Sequence, residues 1–409
     1  MSCVWRRFRK LNINTIKKFL YWYTKEFGLL LPLLLVQIIV YNIVYIMLRD
    51  KYIRKRTDNK LAFTSLYYNG NARVVFEKLT ENSTRKYDCY WIARNFFTFR
   101  FLRKLGKKVI CVYFPLLYIK HFLEFRVLVT NDATFNIFFP ITRPKIIQLW
   151  HGVAIKGHKR VKEDYENVDV WCVSSEYVKK RHVELYNAPI EKIRVTGYAT
   201  MDRLHDYLKD SSIKDRFCKK WGIPKHWTIL LYAPTWETGI WPWKGLKSLI
   251  DLCNFCEKHN IFIILRPHPL IKIHRKLKFL EKKLKNLAIL DVKKIPDVTE
   301  LLAISDILLT DWSSLYTEFL LTKRPIIFIE VKKEYFCTSK GRGRGIVPLG
   351  YRPGFIVNNE SDLKEKLKIA LYTRNPFEKD QEKILKILHG RVDGNASNRV
   401  IEIIDELIR

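Results

Sequence analysis

"DILLTDWSSLYTEFLLTKRPIIF", residues 306–328, runs as an apolar stretch, breaks at a short polar turn, and resumes as a helix followed by a second apolar run. Short apolar runs of this kind suit strands buried on both faces, and strand, turn, helix, strand is the unit from which covered parallel sheets are built. Asp311, Ser313 and Ser314 stand where the first strand has just surfaced. In an open parallel sheet, ligands collect at that place, outside the carboxyl end of a strand. Backbone N–H groups opening the next helix favour an anion, and serine hydroxyls can bond phosphate oxygens without adding charge. Plain helix capping by Asp and Ser would put the same residues there.

The alternation extends outward in both directions. "LAFTSLYYNGNARVVFEKL" (61–79) reads as a strand, a turn at Asn69 to Asn71 and a helix. "KKVICVYF" (107–114), "FRVLVTND" (125–132), "KIIQLW" (145–150), "VDVWCVSS" (168–175) and "KIRVTGY" (192–198) read as strands, with a helix at 175–186 between the last two. A second series follows: strands in "WTILLYAPTW" (227–236), "IFIILRPHP" (261–269), "LAILDV" (287–292), 306–310 and "PIIFIE" (325–330), and helices at 246–259, 298–305 and 397–409. The boundary falls in 205–226. This pattern predicts an α/β chain of two doubly wound Rossmann-type halves facing a cleft, the GT-B plan, divided as 61–210 and 211–390 with a closing helix at 391–409.

Lys and Arg number 74 against 41 acids, a net charge of +33, which calls for an anionic partner: membrane lipid, nucleic acid or a phosphorylated substrate. Thirteen of the basic residues lie in residues 1–60, beside the uncharged 22-residue stretch 27–48. That length matches the roughly 30 Å hydrocarbon core of a bilayer. With basic clusters on both sides and Pro32 inside, a single span and an anchor dipping in from one face both fit. Zinc-finger spacing, an aromatic RNA-binding motif and a basic DNA-reading helix are all missing, which argues against nucleic acid. The eight cysteines are scattered, as expected of reduced thiols. Cys253, Cys256 and His259 have no second pair to complete a metal site and read as a helical packing face.

Four strand ends carry residues capable of chemistry: His151-Gly152, Thr235-Trp236, Arg266-Pro267-His268-Pro269, and Asp311 with Ser313 and Ser314. An imidazole titrating near neutral pH can take a proton from an attacking hydroxyl, which makes His151 a candidate base. Gly152 permits close approach of a ligand. Lys156 could meet a phosphorylated acceptor. His268 is held between two prolines, and Arg266, two residues earlier, shares its side of an extended segment, so the pair could meet a diphosphate together.

Taken in order, "WHGVAIKG" (150–157), "VTGYATMDRL" (195–204), "LLYAPTW" (230–236), "LRPHP" (265–269), the block 297–328, "GRGRG" (341–345), "YRPGFIV" (351–357) and "DGNASNRVIEII" (393–404) resemble the CDP-glycerol glycerophosphotransferase family of teichoic-acid and capsule synthesis, from about Asn69 to the end of the chain. The resemblance implies a GT-B fold with the acceptor in the N-terminal half and the cytidine nucleotide in the C-terminal half. It implies His151 as base, His268 assisting the diphosphate, and Asp311, Ser313 and Ser314 in the donor-phosphate site. Val153-Ala154 replaces the usual Thr-Pro, Ala199-Thr200 the usual Pro-Arg, and Arg344-Gly345 the usual Phe-Tyr, so the acceptor and the transferred polyol stay open.

The expectation is a membrane-associated transferase on the cytoplasmic side of a bacterial membrane. It would take CDP-glycerol or a related CDP-polyol as donor, with no obligatory cofactor or metal, and a lipid-linked acceptor beside anionic lipid. Catalysis would rest on His151 and His268. Thr235, Arg266, Asp311, Ser313 and Ser314 would hold the donor, and Gly152 and Lys156 the acceptor. A GT-B glycosyltransferase using a nucleotide sugar and a non-catalytic membrane-bound polyanion binder are the rival readings.

Overall fold

The computed structural model describes residues 59–81, 87–132, 144–155, 165, 168–235, 238–243, 245–269, 271, 273–331, 345–348 and 351–409, with Val40, Ile43, Val44, Met47 and Leu48. Among these residues the strands form two wholly parallel sheets. The first contains β1 (Lys60–Ser65), β2 (Asp88–Ala93), β3 (Val109–Cys111), β4 (Val127–Thr130), β5 (Lys145–Gln148), β6 (Val170–Val173) and β7 (Ile193–Val195), ordered β3-β2-β1-β4-β5-β6-β7. The second contains β8 (Thr228–Ala233), β9 (Ile261–Leu265), β10 (Leu287–Ile289), β11 (Ile307–Thr310), β12 (Ile326–Ile329) and β13 (Phe355–Val357), ordered β10-β9-β8-β11-β12-β13. Both are doubly wound, and their strand order reverses between β1 and β4 and between β8 and β11. Those reversals open the crevices where such folds take ligands.

Both faces of each sheet are covered, which is why the central strands are apolar without alternation: β9, β11 and β12 are buried at every residue. One apolar cluster crosses between the halves, joining Ile146 and Trp171 to Ile229, Leu308 and Trp312. The closing helix does not stand apart. In Ala396–Ile408, residues Val400, Ile401, Ile403 and Ile404 pack into the first half's core with Leu61 and Val127. Asp202 caps that helix, accepting from Ala396 N (3.1 Å) and Ser397 N (2.7 Å). Ser174 and Ser175 likewise donate to Leu388 O and Ile387 O at the end of the preceding helix, Glu378–His389.

Most of the hydrophobic segment 27–48 lies outside the described residues. Its described residues are helical, with Val44 buried in the cluster that holds Tyr118 and Phe122. Among the described residues no helix is long and apolar enough to cross a membrane.

Candidate active site

The edge of the first sheet is shaped by backbone. After β5, Trp150 adopts φ 56° and Gly152 φ 129°, and the chain bends at His151 and Gly152. A tryptophan with positive φ is uncommon and persists only where its surroundings impose it. Here the indole is buried against Trp171 (ring centroids 5.2 Å apart), and Asn71 Nδ2 donates to Leu149 O (3.3 Å) and Trp150 O (3.0 Å). His151 is thereby left exposed beside the Trp150 ring, with centroids 4.4 Å apart. Its Nδ1 lies 3.3 Å from Asn131 O. A carbonyl can only accept, so this bond puts the proton on Nδ1 and the lone pair on Nε2.

Asn131, at the end of β4, is fixed in turn: its Nδ2 donates to Asn69 O (3.0 Å) and its Oδ1 accepts from Ala72 N (3.0 Å). Gly70 has φ +69°, and a Cβ there would fall 2.6 Å from Asn131 Nδ2, so no larger residue fits without displacing the amide. The ends of β1, β4 and β5 therefore form one rigid frame around His151.

At the second sheet the charged residues turn inward. The Asp311 carboxylate, 1% exposed, accepts from Thr235 N (3.0 Å), from Thr235 Oγ1 (2.8 Å) and from Thr238 Oγ1, tying the turn after β8 to the turn after β11. Arg266 is also buried. Its guanidinium donates to Leu290 O (2.9 Å), Ile295 O (2.6 Å) and Pro296 O (3.4 Å), and burial pulls it down to about 10, partly offset by Asp297 and Asp291. It pins the segment ahead of Asp297. His268, partly buried, closes a turn by accepting Ile271 N at its carbonyl (2.8 Å). The helix after Asp311 is α-helical over Leu315–Phe319 and then 3₁₀ over Leu320–Thr322. Ser313 Oγ accepts weakly from Leu315 N (3.4 Å).

The two edges meet. A Cβ built on Gly152 would lie 3.6 Å from Ser314 Oγ and 3.8 Å from Glu318 Oε1. Tyr198 OH, from the first half, donates to Gly152 O (3.4 Å), and Ile346 N, from the second, donates to Ala154 O (2.8 Å). A partly buried ionic cluster also links the two halves. Arg203 pairs with Glu77 and lies 3.8 Å from Asp297, Arg73 pairs with Glu77 (2.8 Å), and Gly70 N donates to Asp297 (3.3 Å). Burial alone would raise Asp297, but Arg73, Arg203 and the Thr299 hydrogen bonds hold its carboxyl below the usual range.

His151, Gly152 and Ser314 are thus brought to one seam. Thr235 and Asp311 brace the second edge, and Arg266 is engaged with backbone carbonyls. Lys156 and Trp236 fall outside the described residues. Asn131, Asn71, Asp297 and Glu318 were not singled out by sequence. Only the strand-end position of Asn131, in "VTND", marks one of them locally.

Residues 46–406 match the model of a family described as CDP-Glycerol:Poly(glycerophosphate) glycerophosphotransferase. The chain is 23% identical over 370 residues to the teichoic acid poly(ribitol-phosphate) polymerase of Bacillus spizizenii, covering 84% of this chain and 56% of that protein. It is also 23% identical to the teichoic acid glycerol-phosphate transferase of Staphylococcus aureus, covering 84% and 91%. Against three ribitol-phosphate polymerases it spans only 52–63% of their length. Its fold is that of the wall teichoic acid polymerase TagF, with a TM-score of 0.74 at 20% identity over 97% of this chain and 98% of that one.

Proposed function

The chain belongs to the CDP-glycerol:poly(glycerophosphate) glycerophosphotransferase family, and from that premise we propose that it moves glycerol phosphate, or a related polyol phosphate, from a CDP-linked donor to a hydroxyl of a lipid-linked or polymeric acceptor in teichoic acid or capsule synthesis. The acceptor O–H attacks the polyol-bearing phosphorus, its proton passes to His151 Nε2, the bond from that phosphorus to the bridging oxygen breaks, and CMP leaves. One observation carries the reading: Gly152, next to the base, lies against Ser314 at the end of the opposing sheet. A base and a phosphate-binding edge across one seam are what an in-line displacement needs.

In this reading His268, Ser313 and Ser314 meet the diphosphate directly. Asp311 and Thr235 hold the serine-bearing turn in place, and Arg266 positions the segment leading to Asp297. Lys156 meets the acceptor. Confinement to a membrane surface is supported by Phe96, Phe114, Leu116, Leu117, Ile43 and Met47, all exposed, and by Arg100, Arg103 and Lys104, exposed on the same helix as Phe96. Apolar side chains flanked by cations fit anionic lipid.

The purified full chain, given CDP-glycerol or CDP-ribitol with lipid-linked acceptor, is expected to release CMP and extend the acceptor by polyol phosphate units visible by mass spectrometry. Turnover of UDP- or GDP-sugars alone would transfer the case to a glycosyltransferase. Salt-sensitive retention on polyanions with no donor binding would leave a non-catalytic binder.

A further inference from the structure

Two buried carboxyls flank the turn after β11, and their surroundings are opposite. Asp311 receives hydrogen bonds from Thr235 and Thr238. Glu318 is 8% exposed, and its carboxyl makes no hydrogen bond or ion pair with a described residue. A buried carboxyl without a partner is costly when ionised. Burial pushes Glu318 up to about 8, with the charge of Asp297 adding to the effect, so at pH 7 it is a neutral acid able both to donate and to accept.

Its position is specific. Glu318 follows Ser314 by one helical turn and shares its face. Oε1 of Glu318 and Oγ of Ser314 converge to within 3.8 and 3.6 Å of the point where Gly152 lacks a Cβ, one residue from His151. A cavity of about 500 Å³, lined by Ile240, Leu246 and His274 through Leu277, lies elsewhere and takes no residue from this seam.

We propose that Glu318 is a substrate-contacting residue whose carboxyl hydrogen-bonds a polyol hydroxyl at the point of transfer, on the donor's polyol phosphate or on the acceptor's terminal unit. The inference rests on the transfer reading above. An alcohol both donates and accepts, as a neutral carboxyl does, and a neutral group beside a diphosphate avoids the repulsion that a carboxylate would add.

The test uses the full chain and the variants Glu318→Leu and Glu318→Gln. Donor affinity is read by calorimetry with CDP-glycerol and with CDP, which lacks the polyol, and acceptor KM by CMP release. Glu318→Leu is expected to weaken CDP-glycerol about tenfold, equivalent to about 1.4 kcal/mol, with CDP unchanged if the hydroxyl is the donor's. If it is the acceptor's, acceptor KM rises about tenfold with donor affinity unchanged. Glu318→Gln, which keeps a donor and an acceptor, stays within about threefold of wild type at pH 7.

A pH profile guards against a leucine variant that fails to fold. The carboxyl is neutral below about 8 and ionised above it, facing Asp297, Tyr198 and the His151 loop. Wild-type kcat/KM is therefore expected to fall as pH rises through that value, and Glu318→Gln to lack that limb. Unchanged donor and acceptor constants in Glu318→Leu, equal loss of CDP and CDP-glycerol binding, or the same alkaline limb in wild type and Glu318→Gln would each overturn the inference alone. Wild-type protein that binds neither CDP-glycerol nor CDP-ribitol would overturn the transfer reading itself, and is seen before any substitution is made.

Discussion

The edges of the two sheets solve the same problem with different means. At the first, the chemical group is exposed and its frame is neutral: His151 stands in solvent, held through backbone carbonyls and the amides of Asn71 and Asn131. At the second, the charged groups are the frame. Asp311 and Arg266 face inward and are satisfied by threonines and by carbonyls of their own half, and the hydroxyl of Ser314 faces across the seam. A buried charge without a partner costs more than a buried hydroxyl, so an ion near a strand end is drawn into the protein unless a ligand takes its partners' place. Residue type at a strand end therefore finds the edge of a site, and pairing decides which side chains look into it.

The sharpest way to break this comparison is at His151. If the first edge exists to present a base, His151→Ala should lower CMP release at saturating CDP-glycerol by about 10²–10⁴-fold and leave the melting temperature near that of wild type, because the ring is exposed. More than about a tenth of wild-type turnover would make the base role untenable. A large fall in stability would show instead that His151 belongs to the frame.

Asp311 should behave in the opposite way. Asp311→Ala orphans Thr235 N–H and the hydroxyls of Thr235 and Thr238, and an unsatisfied buried donor costs about 1–3 kcal/mol. Denaturant unfolding should therefore show a loss of about 3 kcal/mol, with Asp311→Asn recovering part of it through its remaining carbonyl oxygen. Unchanged stability with lost donor affinity would mean that the carboxylate addresses the substrate.

The halves of the fold were legible because parallel strands buried on both faces must be short apolar runs, and runs such as 306–310, 261–265 and 228–233 had no alternative reading. β2 escaped because "DCYWIA" is hemmed by charge on one side and by the phenylalanine-rich helix Phe96–Lys104 on the other. β13, three residues directly after the turn signal Pro353-Gly354, escaped too, although β3, β7 and β10 are as short and also lie at sheet edges. In the site, His151, Gly152 and Ser314 could be placed because each follows a strand directly. The inward turn of Arg266 could not, since the carbonyls of Leu290, Ile295 and Pro296 that it bonds are set by the path of a loop and not by residue type. Asp297 and Glu318 act at the seam between halves, and a contact between residues that far apart in the chain leaves no local periodicity.

The smallest expected effect is also the finest probe of the second edge. Ser314 caps no helix through its side chain, and its hydroxyl makes no hydrogen bond with a described residue. Ser314→Ala removes one oxygen from an otherwise intact turn, so stability should stay within about 0.5 kcal/mol of wild type. If the hydroxyl bonds a donor phosphate oxygen, CDP-glycerol affinity should fall about 3- to 10-fold, the worth of one hydrogen bond of about 0.5–1.5 kcal/mol, with little change in kcat. An equal fall in kcat would place the bond in the transition state, on the phosphorus under attack. No change in either constant would leave the second edge without the contact that the seam between Gly152 and Ser314 is taken to provide.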